Sequence, residues 1–143
     1  MASVLNPYIS FNGNARQAME FYRDVFGGDL RVNTFGEFGA EGGDHGADAD
    51  KVMHAMLVTP QGYTLMASDT PPGMPYNPGD NFSVSLSGDI GEDGDALRGF
   101  WEKLSGGGTV TVPMEKQMWG DEFGMVIDQF GVPWMVNITQ PQG

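Results

Sequence analysis

The chain has 143 residues and no cysteine, and its 19 acidic and 7 basic side chains leave a formal charge of -12. That length suits one domain with a sizeable core, and the missing thiols exclude disulfides, thiolate metal sites and a Cys nucleophile. So acidic a chain is a poor phosphate binder, which argues against nucleic acid, and no apolar run reaches the length of a membrane span.

The N-terminal stretch MASVLNPY lacks the charged-then-apolar pattern of a signal peptide, so a cytoplasmic protein is expected. NPYISF (6–11) then alternates like a strand. In NARQAMEFYRDVF, residues Ala15, Ala18, Met19, Tyr22, Val25 and Phe26 recur at three- and four-residue spacing, which is one face of a helix. Asn14 is the expected N-cap, with Gln17 three residues on, and Gly27 the expected stop. A strand follows, then a Gly- and Asp-rich insert (36–50) that carries His45. HAMLV and YTLMAS read as two strands joined by a tight turn at Gly62, and PPGMPYNPG (71–79) reads as a linker.

The second half repeats this plan. NFSVSLS (81–87) alternates, and a helix carries Leu97, Phe100, Trp101 and Leu104 on one face before GGG (106–108) ends it. FYRDVFGGDLRV (21–32) matches FWEKLSGGGTVTV (100–112) in kind: aromatics, charged turn, glycine stop, strand. HAMLVTPQGYTLMAS (54–68) lies over FGMVIDQFGVPWMVN (123–137) without a gap, Gly62 on Gly131 and Met66 on Met135. MEKQMWGDE (114–122) is read as a loop between two strands. The fold class is α+β, with a strand–helix–strand–strand–strand module over 4–70 and another over 80–139.

Two βαβββ modules in tandem resemble the vicinal oxygen chelate superfamily of glyoxalases, bleomycin-resistance proteins and dioxygenases. PYISFNGNARQAMEFYRDVFGG, HAMLV, LMASDTPPG, SVSLSGD and WGDEFGMVIDQFGVPWMVNI look specifically like its PhnB-like branch. The resemblance spans nearly the whole chain. It implies a single domain over 1–143 whose curved mixed sheets enclose a cavity, with helices outside, and a homodimer as the default assembly. Sequences of this branch sometimes carry the name of a ubiquinone-pathway methyltransferase. A Rossmann-type methyltransferase sets its glycines between a strand and the next helix, whereas Gly27, Gly28 and Gly106 to Gly108 follow helices. Methyl transfer from S-adenosylmethionine is therefore rejected.

In metal-dependent relatives, the resemblance implies, His, Gln or Glu ligands come from the first and last strand of each module. The last-strand ligand lies four residues past the turn glycine, where this chain has Met66 and Met135. The first-strand positions are read as Asn6 and Asn81, or Pro7 and Phe82 if the register slips by one. Two thioethers and two amides are neutral donors that suit a divalent ion poorly, so no metal and no cofactor are expected. His45 in its acidic loop is read as solvated. His54 is the better acid–base candidate because an unperturbed imidazole titrates near neutrality, and Glu115 is the second; the plainer reading of either is structural.

Alternation assigns Ile9, Phe11, Leu65, Ala67, Val84, Leu86, Trp134 and Val136 to the helix side of the sheets. Tyr8, Ser10, Met66, Ser68, Ser83, Ser85, Met135 and Asn137 then share the other face and are candidate ligand contacts. Trp119 joins them as an aromatic wall from the 114–122 loop, beside Glu115, Asp121 and Glu122. Three functions stay open: a small-molecule binder without the usual metal, a sequestering protein of the bleomycin-resistance kind taking a cationic guest, and a glyoxalase-like or dioxygenase-type enzyme on a small oxygenated substrate. The identity of the ligand is not legible.

Overall fold

A computed structural model describes residues 3, 5–38, 50–70, 74–79 and 81–140. His45 and most of the 36–50 insert therefore lie outside the described residues. The chain divides into two compact units, Met1–Pro78 and Gly79–Gly143.

In the first unit, β1 (Tyr8–Phe11) leads into α1 (Ala15–Phe26), β2 (Asp29–Thr34), a single turn α2 (Phe35–Phe38), β3 (Val52–Val58) and β4 (Thr64–Asp69). The sheet order is β1-β4-β3-β2. β4 runs parallel to β1 and antiparallel to β3, so the sheet is mixed. All six residues of the expected helical face of α1 are buried. Ile9, Phe11, Ala55, Leu57, Leu65 and Ala67, which alternation places on one side of the sheet, are also buried, and α1 packs on β3, β2 and β4. Burying each of the larger side chains stabilises by about 1.5–3 kcal/mol.

The cap of α1 differs from expectation. Asn14 makes no side-chain capping bond. Asp69, at the far end of β4, does the capping instead. Its Oδ1 accepts the N–H of Gly13 at 2.8 Å and of Ala15 at 3.0 Å, and its Oδ2 accepts the N–H of Val52 at 2.8 Å. A carboxylate offers two acceptor oxygens and a negative charge to the positive end of the helix, which a neutral amide lacks. At the other end Gly27 donates its N–H to the Arg23 carbonyl, as a stop residue should. Gly28 follows at φ +107°, where an added Cβ would sit 2.2 Å from the Val58 carbonyl oxygen.

The second unit repeats the plan with β5 (Val84–Asp89), α3 (Gly94–Ser105), β6 (Thr109–Lys116), β7 (Glu122–Ile127) and β8 (Pro133–Thr139), in sheet order β5-β8-β7-β6. Again the first and last strands pair in parallel. Leu97, Phe100 and Leu104 are buried on α3, but Trp101 is only partly so. Its ring lies over β7, where a Cβ on Gly124 would come within 2.7 Å of Trp101 Cη2. Gly124 leaves the space the indole occupies.

Two boundaries correct the sequence reading. The loop within MEKQMWGDE is shorter than read: β6 runs through Lys116, β7 starts at Glu122, and residues 117–121 form a tight turn. The Gln117 N–H donates to the Asp121 carbonyl at 2.8 Å, and the Gly120 N–H to the Gln117 carbonyl at 2.9 Å. Pro113 is tolerated because β6 is an edge strand with register shifts on both sides of Val112. The first strands also start later than read, at Tyr8 and Val84.

The β3–β4 and β7–β8 turns are matched but differently pinned. Thr59 Oγ1 accepts the Tyr63 N–H at 3.1 Å. At the equivalent position Asp128 Oδ1 accepts the N–H groups of Phe130 and Val132 at 2.8 and 3.1 Å, while its Oδ2 accepts the indole N–H of Trp134 at 2.8 Å. No helix among the described residues is long and apolar enough to cross a membrane.

Candidate functional site

Each sheet covers one face with a helix, which leaves the other face to carry any chemistry. Cross-strand partners share a face, so the register builds that open face row by row. In the first unit, Tyr8 pairs with Met66, Met66 with Met56, and Met56 with Arg31, a row that crosses β1, β4, β3 and β2. One step along, Ser10 pairs with Ser68, and His54 pairs with Asn33. Met66, Met56 and His54 are half-buried; Tyr8 is 52% exposed.

The rings of Tyr8 and His54 lie 5.9 Å apart, tilted by 31°. Their strands are separated by β4, a backbone distance of roughly 10 Å, so both side chains lean inward over that central strand. The lean gives His54 a defined orientation. It also puts the phenol and the imidazole beside the hydroxyls of Ser10 and Ser68.

In the second unit the corresponding row is Ser85, Met135, Met125 and Val112. The next row is Ser87, Asn137, Phe123 and Glu115. Asn137 Nδ2 donates to Asp121 Oδ2 at 3.2 Å, and Asp121 Oδ1 also accepts the Gln140 N–H at 3.3 Å. Trp119, 60% exposed on the β6–β7 turn, meets Phe123 edge to face with ring centroids 6.0 Å apart. Glu115 is exposed, whereas Glu122 is ion-paired with Arg98.

The open faces thus carry Tyr8, Ser10, Met66 and Ser68 in one unit and Ser85, Met135 and Asn137 in the other, with Trp119 on the turn that packs against Phe123. Ser83 precedes β5, and the in-strand hydroxyl next to Ser85 on that face is Ser87. His54 belongs to the first unit and Glu115 to the second. The strand partners of Met66 and Met135 are Tyr8 and Ser85 rather than Asn6 and Asn81, because the strands start later than the alternation suggested. Asn6 precedes β1, and its Nδ2 donates to the Pro7 carbonyl at 3.2 Å. Two central residues escaped the sequence reading, Met56 and Met125. Their signal was present in the repeat, which sets HAML over FGMV, but only the register shows that each faces the methionine of the next strand.

A hard divalent ion does not fit these positions. The donors at the expected places are two thioethers, a phenol and a hydroxyl, with no carboxylate or imidazole among them. No group of three His, Cys, Asp or Glu suited to a metal exists among the described residues. Neutral sulfur does not replace the hydration that such an ion gives up.

Two four-stranded mixed sheets, each built by a βαβββ unit, define a glyoxalase-type fold. Residues 4–136 match the family model of the Glyoxalase/Bleomycin resistance protein/Dioxygenase superfamily, and the chain belongs to that superfamily. Among solved structures, protein PA1353 from Pseudomonas aeruginosa is 37% identical with a TM-score of 0.81, over 98% of this chain and 100% of that one. A PhnB protein from Bacillus cereus shares the fold at 19% identity and a TM-score of 0.70, over 96% of this chain and 100% of that one. Protein YjdN of Escherichia coli (strain K12) is 28% identical over 147 residues, which covers 96% of this chain and 97% of YjdN.

Proposed function

We propose that this is a PhnB-like member of the superfamily that binds a small organic molecule against an open sheet face, without a hard divalent ion. The observation that carries the reading is the row Tyr8–Met66–Met56–Arg31 and its counterpart Ser85–Met135–Met125–Val112. At the position of a chelating relative's carboxylate, each unit has an uncharged, polarisable thioether beside a second one. Thioethers form adaptable apolar walls. Hydroxyls of Tyr8, Ser10, Ser68 and Ser85 and the amide of Asn137 supply the few directional bonds that orient a small ligand.

Sequestration of a cationic guest, the bleomycin-resistance mode, is the form of binding that the second unit favours. Exposed Trp119 stands edge to face with Phe123, and Phe123 pairs across the strands with exposed Glu115. An aromatic face and a carboxylate attract a cation together, and the charge of -12 raises its local concentration.

A thermal-shift screen tests both. A ligand that binds only the folded chain raises apparent stability by about 2.7 kcal/mol at 100 times its Kd. Cationic glycopeptides and neutral oxygenated compounds form the two arms. A rise that Met66→Ala with Met135→Ala removes supports binding at the rows, and one that Trp119→Ala removes supports the cationic form. No shift with any member of either arm sinks the proposal.

A further inference from the structure

We infer that the first unit holds a site for a soft monovalent metal ion, Cu(I) or Ag(I), built from Met56, Met66 and His54. The inference lies on the open face described above but does not depend on an organic ligand binding there. The mismatch with a hard divalent ion leads to it. Thioether sulfur is rejected by hard ions and preferred by Cu(I), whose single charge also needs less compensation by the protein.

The register supplies the geometry. Met56 on β3 and Met66 on β4 are direct cross-strand partners, which sets their Cβ atoms about 4.5–5.5 Å apart. Both side chains are half-buried and each has three rotatable bonds, so their sulfurs can converge on one ion. His54 lies two residues before Met56 on the same strand and the same face, a diagonal neighbour of Met66 at roughly 7–8 Å between Cα atoms. Its ring lies beside that of Tyr8, with centroids 5.9 Å apart. Two thioethers and one imidazole make a neutral three-donor set, the kind that binds a closed-shell monovalent ion.

The repeat provides an internal control. Met125 and Met135 form the same cross-strand pair in the second unit, but Phe123 stands where His54 stands in the first. That pair has no imidazole. The chain therefore binds one such ion tightly, not two.

The test is an anaerobic, chloride-free titration of the intact chain with Ag(I), which shares these ligand preferences without redox chemistry, followed by the NMR signals of 13C-methyl methionine. One equivalent should shift the methyl signals of Met56 and Met66 and leave those of Met125 and Met135 in place. Met56→Leu with Met66→Leu preserves volume and should lower affinity by at least the roughly 10–100-fold that losing a supporting partner costs a metal site. His54→Phe should reduce the first unit to the weaker behaviour of the second. Met125→Leu with Met135→Leu should leave the Ag(I) affinity of the first unit as it is in the parent chain. Equal shifts at both pairs, affinity unchanged by the Met56 and Met66 substitutions, or no shift at one equivalent each overturn the inference. The organic-ligand screen reads out separately, so failure of one leaves the other decided on its own data.

Discussion

The carboxylate of Asp69 accepts the backbone N–H of Ala15 at 3.0 Å across 54 positions of chain. The same side chain holds Gly13 and Val52, so one residue, 1% exposed, joins the start of α1, the start of β3 and the end of β4. Asp69→Ala leaves three N–H donors without their acceptor and is expected to cost about 3–5 kcal/mol. Asn14→Ala, at the position that looks like the cap, should stay within about 0.5 kcal/mol. Urea denaturation of the two variants gives the comparison; equal losses would return the capping role to Asn14.

The turn residues Thr59 and Asp128 offer a second comparison. Thr59→Ala gives up one side-chain bond and should cost about 1 kcal/mol. Asp128→Ala removes the acceptor for Phe130, Val132 and the indole of Trp134, whose side chain is 2% exposed. It should cost about 3 kcal/mol, and the emission of Trp134 should change while that of exposed Trp119 does not. The two costs being alike would mean that the extra bonds of Asp128 are energetically idle.

Glycine substitutions should divide by sign. An Ala at Gly28 meets the Val58 carbonyl at 2.2 Å with φ at +107°, a double conflict expected to cost about 3 kcal/mol or more. At Gly99 in α3 nothing lies within 4 Å of the new Cβ, and the helical backbone favours Ala by about 0.5–1 kcal/mol. Thermal melts of Gly28→Ala and Gly99→Ala should therefore move in opposite directions.

Nickel, zinc, manganese and iron(II) should leave the melting temperature unchanged, because the donors at both ligand positions are neutral. A rise with any of them that Met66→Ala and Met135→Ala abolish would show that the thioether positions hold a divalent ion after all.

Local pattern carried much of the fold. The six buried residues of α1 repeat every three or four positions, and the helix-facing residues of β1, β4 and β8 alternate as strands require. What escaped were relations between distant segments. Asp69 reads as an ordinary strand-end acid, since the groups it caps lie 17, 54 and 56 positions away. The start of β1 was misplaced because its ladder partner is β4, and no local signal encodes the pairing of Tyr8 with Met66. MEKQMWGDE reads as a loop throughout, and its middle is one, but Met114–Lys116 and Glu122 belong to the flanking strands. For the candidate site, the open face was legible from alternation, but the meeting of Met56 with Met66 and of Tyr8 with His54 required the register.

The parallel pairing of first and last strands has a consequence for biosynthesis. β4 is synthesised last in its unit yet occupies the middle of the sheet, between β1 and β3. A nascent chain stalled before Thr64 offers β1 no neighbour, and α1 waits for its cap until Asp69 has left the ribosome tunnel. At about 5–20 residues per second, several seconds separate the synthesis of β1 from that of β4, without which β1 has no partner in the sheet. The vectorial order of translation and the order of the sheet therefore run against each other.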